Sequence, residues 1–267
     1  MDTRPIGTPI TASQRRSYRQ TPDDSFYRDF QAAFTRSAPS ATSATSTGTG
    51  SSSTDAAPVT PPDLSSILGL THVELANMRG LSTACQADYA AILNRAYGCP
   101  QSNSVKSFLG QLNSNELHTL QLNHGLAAPI QVSEISEEGA RNLLLPEGYS
   151  VDLNHDGTDE VGAGRSLAYP PHDAPASVRE AWFQATADMD PGMTMTYALM
   201  MHGAMYGIAV DDQSPAGPLA APDQADSYKH IVSRFLAALE DQKGMLQPGQ
   251  YERDKAFFSR FEGLLAA

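Results

Sequence analysis

Oxygen-bearing side chains recur at close spacing in residues 151–162, VDLNHDGTDEVG. Ca²⁺ is held in proteins by about six to eight oxygen ligands, and a short loop can supply them from alternate positions. A glycine at the sixth loop position permits the sharp turn, and Gly157 stands there. Side chains at positions 1, 3 and 5, a backbone carbonyl at position 7 and a carboxylate at position 9 would surround the ion. The predicted ligands are Asp152, Asn154, Asp156, Thr158 through its carbonyl, and Glu160.

The pattern D-x-N-x-D-G-x-x-E resembles EF-hand calcium loops and, more closely, the calcium loops of FG-GAP repeats. An EF-hand loop ends in a bidentate Glu at position 12, where this chain has Ala163, and Asp159 stands at the usually aliphatic position 8. FG-GAP loops place their last carboxylate at position 9, the position of Glu160. Propellers repeat the motif in every blade, whereas it occurs once here. The resemblance covers about a dozen residues, implies Ca²⁺ as the cofactor and indicates no family for the whole chain.

A solvated acidic turn is the alternative interpretation of this loop, since Asp, Asn and Gly are common in turns. The missing carboxylate at position 12 predicts a weak site or one completed by water. His155, at loop position 4, is expected to point outward and not to bind the ion.

No second motif names a reaction. The sequence lacks HExxH, CxxC, a P-loop and a nucleophile elbow, and no pair of residues can be assigned acid and base roles. We therefore predict a calcium-binding protein with a binding, structural or regulatory role rather than catalysis. Two alternatives stay open: a protein exported without a cleaved hydrophobic signal, such as a type III secretion substrate or flagellum-associated factor, and a hydrolase of unknown substrate. The expected location is the cytoplasm or, for the first alternative, outside it.

The charge distribution argues against nucleic-acid binding. The formal net charge is −12, and residues 61–267 carry 12 Lys and Arg against 25 Asp and Glu. Affinity for phosphates requires a basic patch, which this region does not offer. No apolar stretch approaches the roughly 20 residues that a transmembrane helix needs.

A change in composition divides the chain near residue 60. Residues 37–54 contain no charge, aromatic ring or large aliphatic side chain, so they cannot bury enough apolar surface to fold. We expect 1–60 to be a disordered tail and 61–267 to be one helical domain. Within the tail, 23–36 has aromatic residues at helical spacing; it could dock a protein partner or cover the domain in cis.

Hydrophobic periodicity predicts a mainly α domain. The S/T-x-x-E pattern predicts capping boxes at Thr71 and Ser177, and the Met-rich segment 189–206 is expected to be a core helix. Around the loop, the long connection 146–176 has no helical period, and 148–151 and 166–169 could pair as a small β-hairpin. The helices are expected at 71–79, 82–97, 103–112, 114–124, 135–145, 177–188, 223–241 and 249–265.

Overall fold

The computed structural model describes residues 19–37, 63–98, 104–207 and 217–266. These ranges contain eleven α-helices and one two-stranded antiparallel sheet, which confirms the predicted mainly α fold with a small hairpin. The chain divides into two compact units where the sequence predicted one domain. We call Pro22–Glu147 the inserted unit. Met1–Thr21 together with Gly148–Ala267 forms the loop unit, because it contains the predicted calcium loop.

The inserted unit is entirely helical in its described residues. Its core is built on α4, whose Tyr89, Ile92 and Leu93 lie on the predicted apolar face and are buried. The fully buried Leu109 and Leu120 come from two later helices. The elements are α1 Asp24–Ser37, α2 Leu64–Leu68, α3 Leu70–Met78, α4 Thr83–Gly98, α5 Val105–Leu109, α6 Ser114–His124 and α7 Glu137–Asn142.

Helix α1 corrects the expected boundary of the tail. Phe30 and Ala33 are buried, and the rings of Phe26 and Phe30 meet Tyr97 of α4 at centroid distances of 6.0 and 4.9 Å. The apolar face of 23–36 is therefore used in cis within its own unit, because aromatic side chains at this spacing supply enough apolar area to order the helix. Residues 1–18 and 38–60 of the expected tail lie outside the described residues.

The loop unit packs four helices on an aromatic core. Trp182, Tyr197 and Phe261 are buried in it, and the predicted stripe of α10 is confirmed by Tyr228 and Ile231. The elements are β1 Thr158–Val161, β2 Gly164–Leu167, α8 Ala176–Thr186, α9 Pro191–Tyr206, α10 Ala225–Gln242, a 3₁₀ turn at Lys243–Met245 and α11 Gln250–Leu265.

The hairpin lies partly inside the predicted calcium loop. Strand β1 pairs with β2 in the register Thr158↔Leu167, so the expected pairing of 148–151 with 166–169 was wrong. Tyr149 instead forms a parallel bridge with Gln20. The short connection between β1 and β2 allows a local hairpin, whereas 148–151 would have to pair across the whole loop.

The Met-rich segment forms α9. Met201 and Met205 are fully buried, as expected of a core helix, whereas Met195 and Leu199 are about half exposed on its outer side, at 48% and 56%. Among the helices of the described residues, none has both the length and the apolar character that crossing a bilayer requires.

Candidate calcium loop

Hydrogen bonds turn three of the predicted ligand side chains into the loop. The Asp152 carboxylate accepts the N–H groups of Asp156 and Gly157, at 3.3 and 2.9 Å. Asn154 Oδ1 accepts the N–H of Asp156 at 2.9 Å. Asp156 Oδ1 accepts the N–H of Thr158 at 2.8 Å. Asp and Asn readily form such bonds to the backbone two residues onward, as Asn154 and Asp156 do here, while Asp152 reaches four and five residues onward. Together these bonds turn the side chains of positions 1, 3 and 5 toward the backbone of residues 156–158.

Gly157 at position 6 is required by conformation and by space. Its φ is +74°, in the left-handed region that costs other residues about 1–2 kcal/mol. A Cβ atom there would lie 2.4 Å from Cε2 of Tyr206 in α9. Next to it, the His202 ring places Nε2 3.2 Å from the Asp156 carbonyl oxygen, so this nitrogen donates. Helix α9 thus supports the turn of the loop directly.

The Thr158 carbonyl lies on the edge of the hairpin where a position-7 ligand is needed. The Ala168 N–H donates to the Gly157 carbonyl at 3.3 Å. Because hydrogen-bonded and non-bonded pairs alternate in an antiparallel ladder, the N–H and C=O of Thr158 both point away from β2. The N–H is the group bound to Asp156 Oδ1. The carbonyl of position 7 therefore faces the same edge as the carboxylate of position 5.

The structure does not bring Glu160 to the other predicted ligands. Its side chain is 8% exposed, and Oε1 lies 2.5 Å from Nη2 of Arg165, the residue opposite it in the ladder. In the part of the chain that the structure describes, no three His, Cys, Asp or Glu side chains converge as a metal-binding group. The candidate ligands are thus two carboxylates, one amide and one carbonyl, with a further carboxylate held by an arginine.

The two Asp carboxylates of the turn lie close enough to repel each other. Within the described ranges, neither Asp152 nor Asp156 forms an ion pair. Burial raises the pKa of Asp152, and the charge of Asp156 raises it further, against hydrogen bonds from the Gly157, His155 and Asp156 N–H groups. A cation between the two carboxylates would remove this repulsion. The two carboxylates, the Asn154 amide and the Thr158 carbonyl all offer oxygen atoms, the ligands that hard cations such as Ca²⁺ prefer.

The His155 side chain points outward, as predicted. Its φ is +55°, and Nδ1 is 2.8 Å from Oδ2 of Asp173. The side chain is 60% exposed. The ring therefore points away from the turn.

Asp159, at loop position 8, is the centre of a buried polar cluster that the sequence reasoning missed. Its side chain is 1% exposed. Oδ2 accepts hydrogen bonds from Arg19 at 3.2 Å and from Ser150 at 2.8 Å. Oδ1 lies 2.8 Å from His172 Nε2. Burial alone would raise the pKa of Asp159, but His172, Arg19 and Ser150 together hold it below its ordinary value. The sequence did contain one sign of this cluster: loop position 8, which is usually aliphatic and buried, is an Asp.

The Ser150, His172 and Asp159 side chains do not form a catalytic relay. In such a relay one imidazole nitrogen contacts the serine and the other contacts the acid. Here Nε2 of His172 lies near both Ser150 Oγ and Asp159, while Nδ1 is 3.2 Å from Thr21 Oγ1. Ser150 is fully buried and donates to the carboxylate. The cluster fixes the positions of residues 19–21 and β1 and offers no accessible nucleophile.

No protein-family model matches the chain, and comparisons with curated proteins and with solved structures gave no match either.

Proposed function

We propose that the loop 152–160 binds one Ca²⁺ ion. The observation that carries this proposal is the set of hydrogen bonds that turns the side chains of Asp152, Asn154 and Asp156 toward the backbone of residues 156–158. The Thr158 carbonyl supports it from the hairpin edge, and water or Glu160 would supply the remaining oxygens. For Glu160 to bind, its buried carboxylate must turn from Arg165, which is 69% exposed, to the ion.

We infer a binding or structural role for the ion-loaded protein rather than catalysis. The loop contacts α9 through Tyr206 and His202 and begins β1, so an ion there would stabilise several elements of the loop unit at once. The buried Ser150 argues against a hydrolase built on the neighbouring cluster. The apolar side of α1 is used within the inserted unit, so we do not assign it to a partner.

Export without a cleaved signal stays a prediction. Calcium sites that operate outside cells bind with dissociation constants of about 10⁻⁴–10⁻³ M, and a loop that lacks the position-12 carboxylate suits that range. A site this weak would be filled outside the cell and empty in the cytosol, so the measured affinity bears on location as well.

Calorimetric titration of the full chain with CaCl₂, and separately with MgCl₂, tests the proposal. We expect one Ca²⁺ site and much weaker Mg²⁺ binding, because Mg²⁺ requires a tighter octahedron. Asp152→Asn and Asp156→Asn should each weaken Ca²⁺ binding by about a hundredfold or more, since each removes a charged ligand. Asp241→Asn, on an exposed position of α10, is the matched control. Equal binding in all four proteins would refute the site.

A second measurement asks whether the ion orders the loop. At about a hundred times the dissociation constant, Ca²⁺ should raise the free energy of unfolding by roughly 2.7 kcal/mol through mass action. Limited proteolysis in chelator should then cleave within 148–174, and Ca²⁺ should protect that segment. If binding is measured but cleavage is unchanged, the ion binds without ordering the loop.

A further inference from the structure

The inserted unit contains a cavity of about 370 Å³. Helices α1, α4, α5 and α7 surround it, together with Leu144 and Leu145. Small-molecule sites in proteins occupy roughly 300–1,000 Å³ and combine an apolar lining with a few polar groups. The cavity meets the size requirement, and its lining decides which ligand chemistry it suits.

The floor of the cavity is apolar and held in place. Tyr97 donates its hydroxyl to the Leu144 carbonyl at 2.5 Å, and its ring makes edge-on contacts with Tyr27 and Phe30 at centroid distances of 5.0 and 4.9 Å. Phe108 of α5 adds a further ring to the lining. A preformed aromatic floor lowers the cost of binding, since few side chains must be ordered.

Several polar side chains line the rim of the cavity. The hydroxyl of Tyr27 and the amides of Gln31 and Gln111 line the cavity and form no hydrogen bond to any residue that the structure describes. The Arg141 guanidinium likewise forms no ion pair within those ranges. Burial raises the pKa of the Tyr27 phenol, and the charge of Arg141 opposes the rise, which places the guanidinium near that hydroxyl.

We propose that this cavity binds a small organic monocarboxylate with a ring-sized apolar body. The body would lie on Tyr97 and Phe108, and the carboxylate would pair with Arg141, because a guanidinium matches a carboxylate through two parallel hydrogen bonds. Asp24 and Glu137 also border the cavity and offset the charges of Arg28 and Arg141. A phosphate ester or polyanion would be repelled by these two acids, so a single negative charge fits best.

The test uses two probes of one shape, 2-naphthoate and its uncharged amide, titrated into the full chain and followed by NMR chemical-shift changes. We expect the carboxylate to bind about tenfold more tightly than the amide, as a charged hydrogen-bonded pair would give. Arg141→Gln should bring the two affinities to within about twofold. Arg36→Gln, on an exposed position of α1 that does not line the cavity, should leave the tenfold difference unchanged.

A cavity-filling variant, Val105→Phe, separates the proposed cavity from other surfaces and should abolish binding of both probes while the far-ultraviolet circular dichroism is retained. Equal affinities for the two probes in the wild type would overturn the proposal. So would absence of binding at millimolar probe, or an Arg141→Gln protein that keeps the preference. If 2-naphthylmethylamine binds more tightly than 2-naphthoate, Asp24 and Glu137 rather than Arg141 select the charge of the ligand, and the proposal is overturned. None of these outcomes depends on whether the loop binds calcium.

Discussion

Each unit buries a histidine in a polar cluster, and the two clusters differ in charge. In the inserted unit, His72 is fully buried, with Nε2 3.1 Å from Asn123 Oδ1, while Nδ1 accepts the Glu147 N–H at 3.1 Å. Burial, assisted by the charge of His124, lowers its pKa to about 4. In the loop unit, His172 lies against the Asp159 carboxylate with Arg19 beside it. In the first, which we call the neutral cluster, the hydrogen bonds of His72 are to an amide oxygen and a backbone N–H, and the Arg79–Glu147 ion pair lies beside them. The second is the ionic cluster, because His172 contacts a carboxylate.

The difference in charge between the two clusters indicates that the first holds helices together, whereas the second lies in a loop suited to binding an ion. The neutral cluster around His72 joins its helices through neutral hydrogen bonds. The loop unit balances the charge of Asp159 with Arg19, yet a few residues away Asp152 and Asp156 form no ion pair within the described ranges. Because Asp159 is balanced and the partly buried Asp152 and Asp156 are not, a cation would gain most from binding at this second pair.

The largest expected effect comes from removing the acid of the ionic cluster. Asp159→Ala leaves Arg19, Ser150 and His172 without their shared acceptor. Breaking a buried pair from one side costs about 3–5 kcal/mol, and because Arg19 is 21% exposed we expect about 3 kcal/mol. Urea denaturation measures the change. Asp241→Ala is the matched control and should shift stability by less than about 0.5 kcal/mol. A loss below 1 kcal/mol for Asp159→Ala would mean that the cluster is not ionic in solution.

The neutral cluster predicts a dependence of stability on pH. His72 has a pKa of about 4 in the folded protein and about 6.5 when unfolded, so the unfolded chain binds the additional proton between these values. Its contribution is intact above pH 6.5 and falls as the pH drops toward 4, by about 3 kcal/mol in total.

The groups that act on His72 are Asn123, His124, Glu147 and Arg79, and a test must leave them in place. His72→Gln keeps a hydrogen-bonding side chain without the titration. Urea denaturation of both proteins between pH 4 and 7 should therefore give a shallower slope for the variant. Parallel slopes would show that His72 binds its proton over the same pH range in the folded and unfolded states, so that burial does not lower its pKa.

A smaller effect is expected at the turn of the calcium loop. Gly157→Ala forces a left-handed alanine and moves the Tyr206 ring, so we expect a loss of about 2 kcal/mol and weaker Ca²⁺ binding. Gly244→Ala, where a Cβ would meet nothing within 4 Å and φ is not positive, is the control. Unchanged calcium affinity in Gly157→Ala would separate the turn from the ion.

The smallest effect concerns the fifth predicted ligand. Arg165→Met frees the buried Glu160 from its partner and should strengthen Ca²⁺ binding about two- to threefold, a small effect because the exposed Arg165 end of the pair is screened by solvent. Arg234→Met removes the same charge from an exposed position on α10 and corrects for the general electrostatic effect. If both variants bind alike, Glu160 is not a ligand.

Helix positions could be predicted from local pattern, and their starts could not. The stripe through Tyr228 and Ile231 identified α10, and Gly125 ends α6 in the left-handed conformation, as a C-terminal glycine should. The capping boxes expected at Thr71 and Ser177 are wrong, because α3 begins after Gly69 and α8 after Pro175, without side-chain caps. The S/T-x-x-E pattern also fits the interior of a first turn, so it does not fix the first residue.

The loop could be predicted as far as its contacts are local. Spacing alone indicated which side chains turn inward, because their hydrogen bonds join residues two to five positions apart. Asp159 was missed since its charged partner Arg19 lies 140 positions away, and no local pattern encodes such a pair. The cavity was missed for the same reason: its lining comes from four helices whose meeting depends on the whole unit.

The contacts of residues 19–21 set an order of events during synthesis. Gln20 exchanges backbone hydrogen bonds with Gly148 and Ser150, Arg19 binds Asp159, and the chain between them builds the inserted unit. The ribosome synthesises residues 19–21 long before the residues that they contact, 148–159. Because domains fold as units while the chain emerges, the inserted unit can be complete before Asp159, which binds Arg19, has been made. The loop unit must therefore fold last, around a segment that was made first.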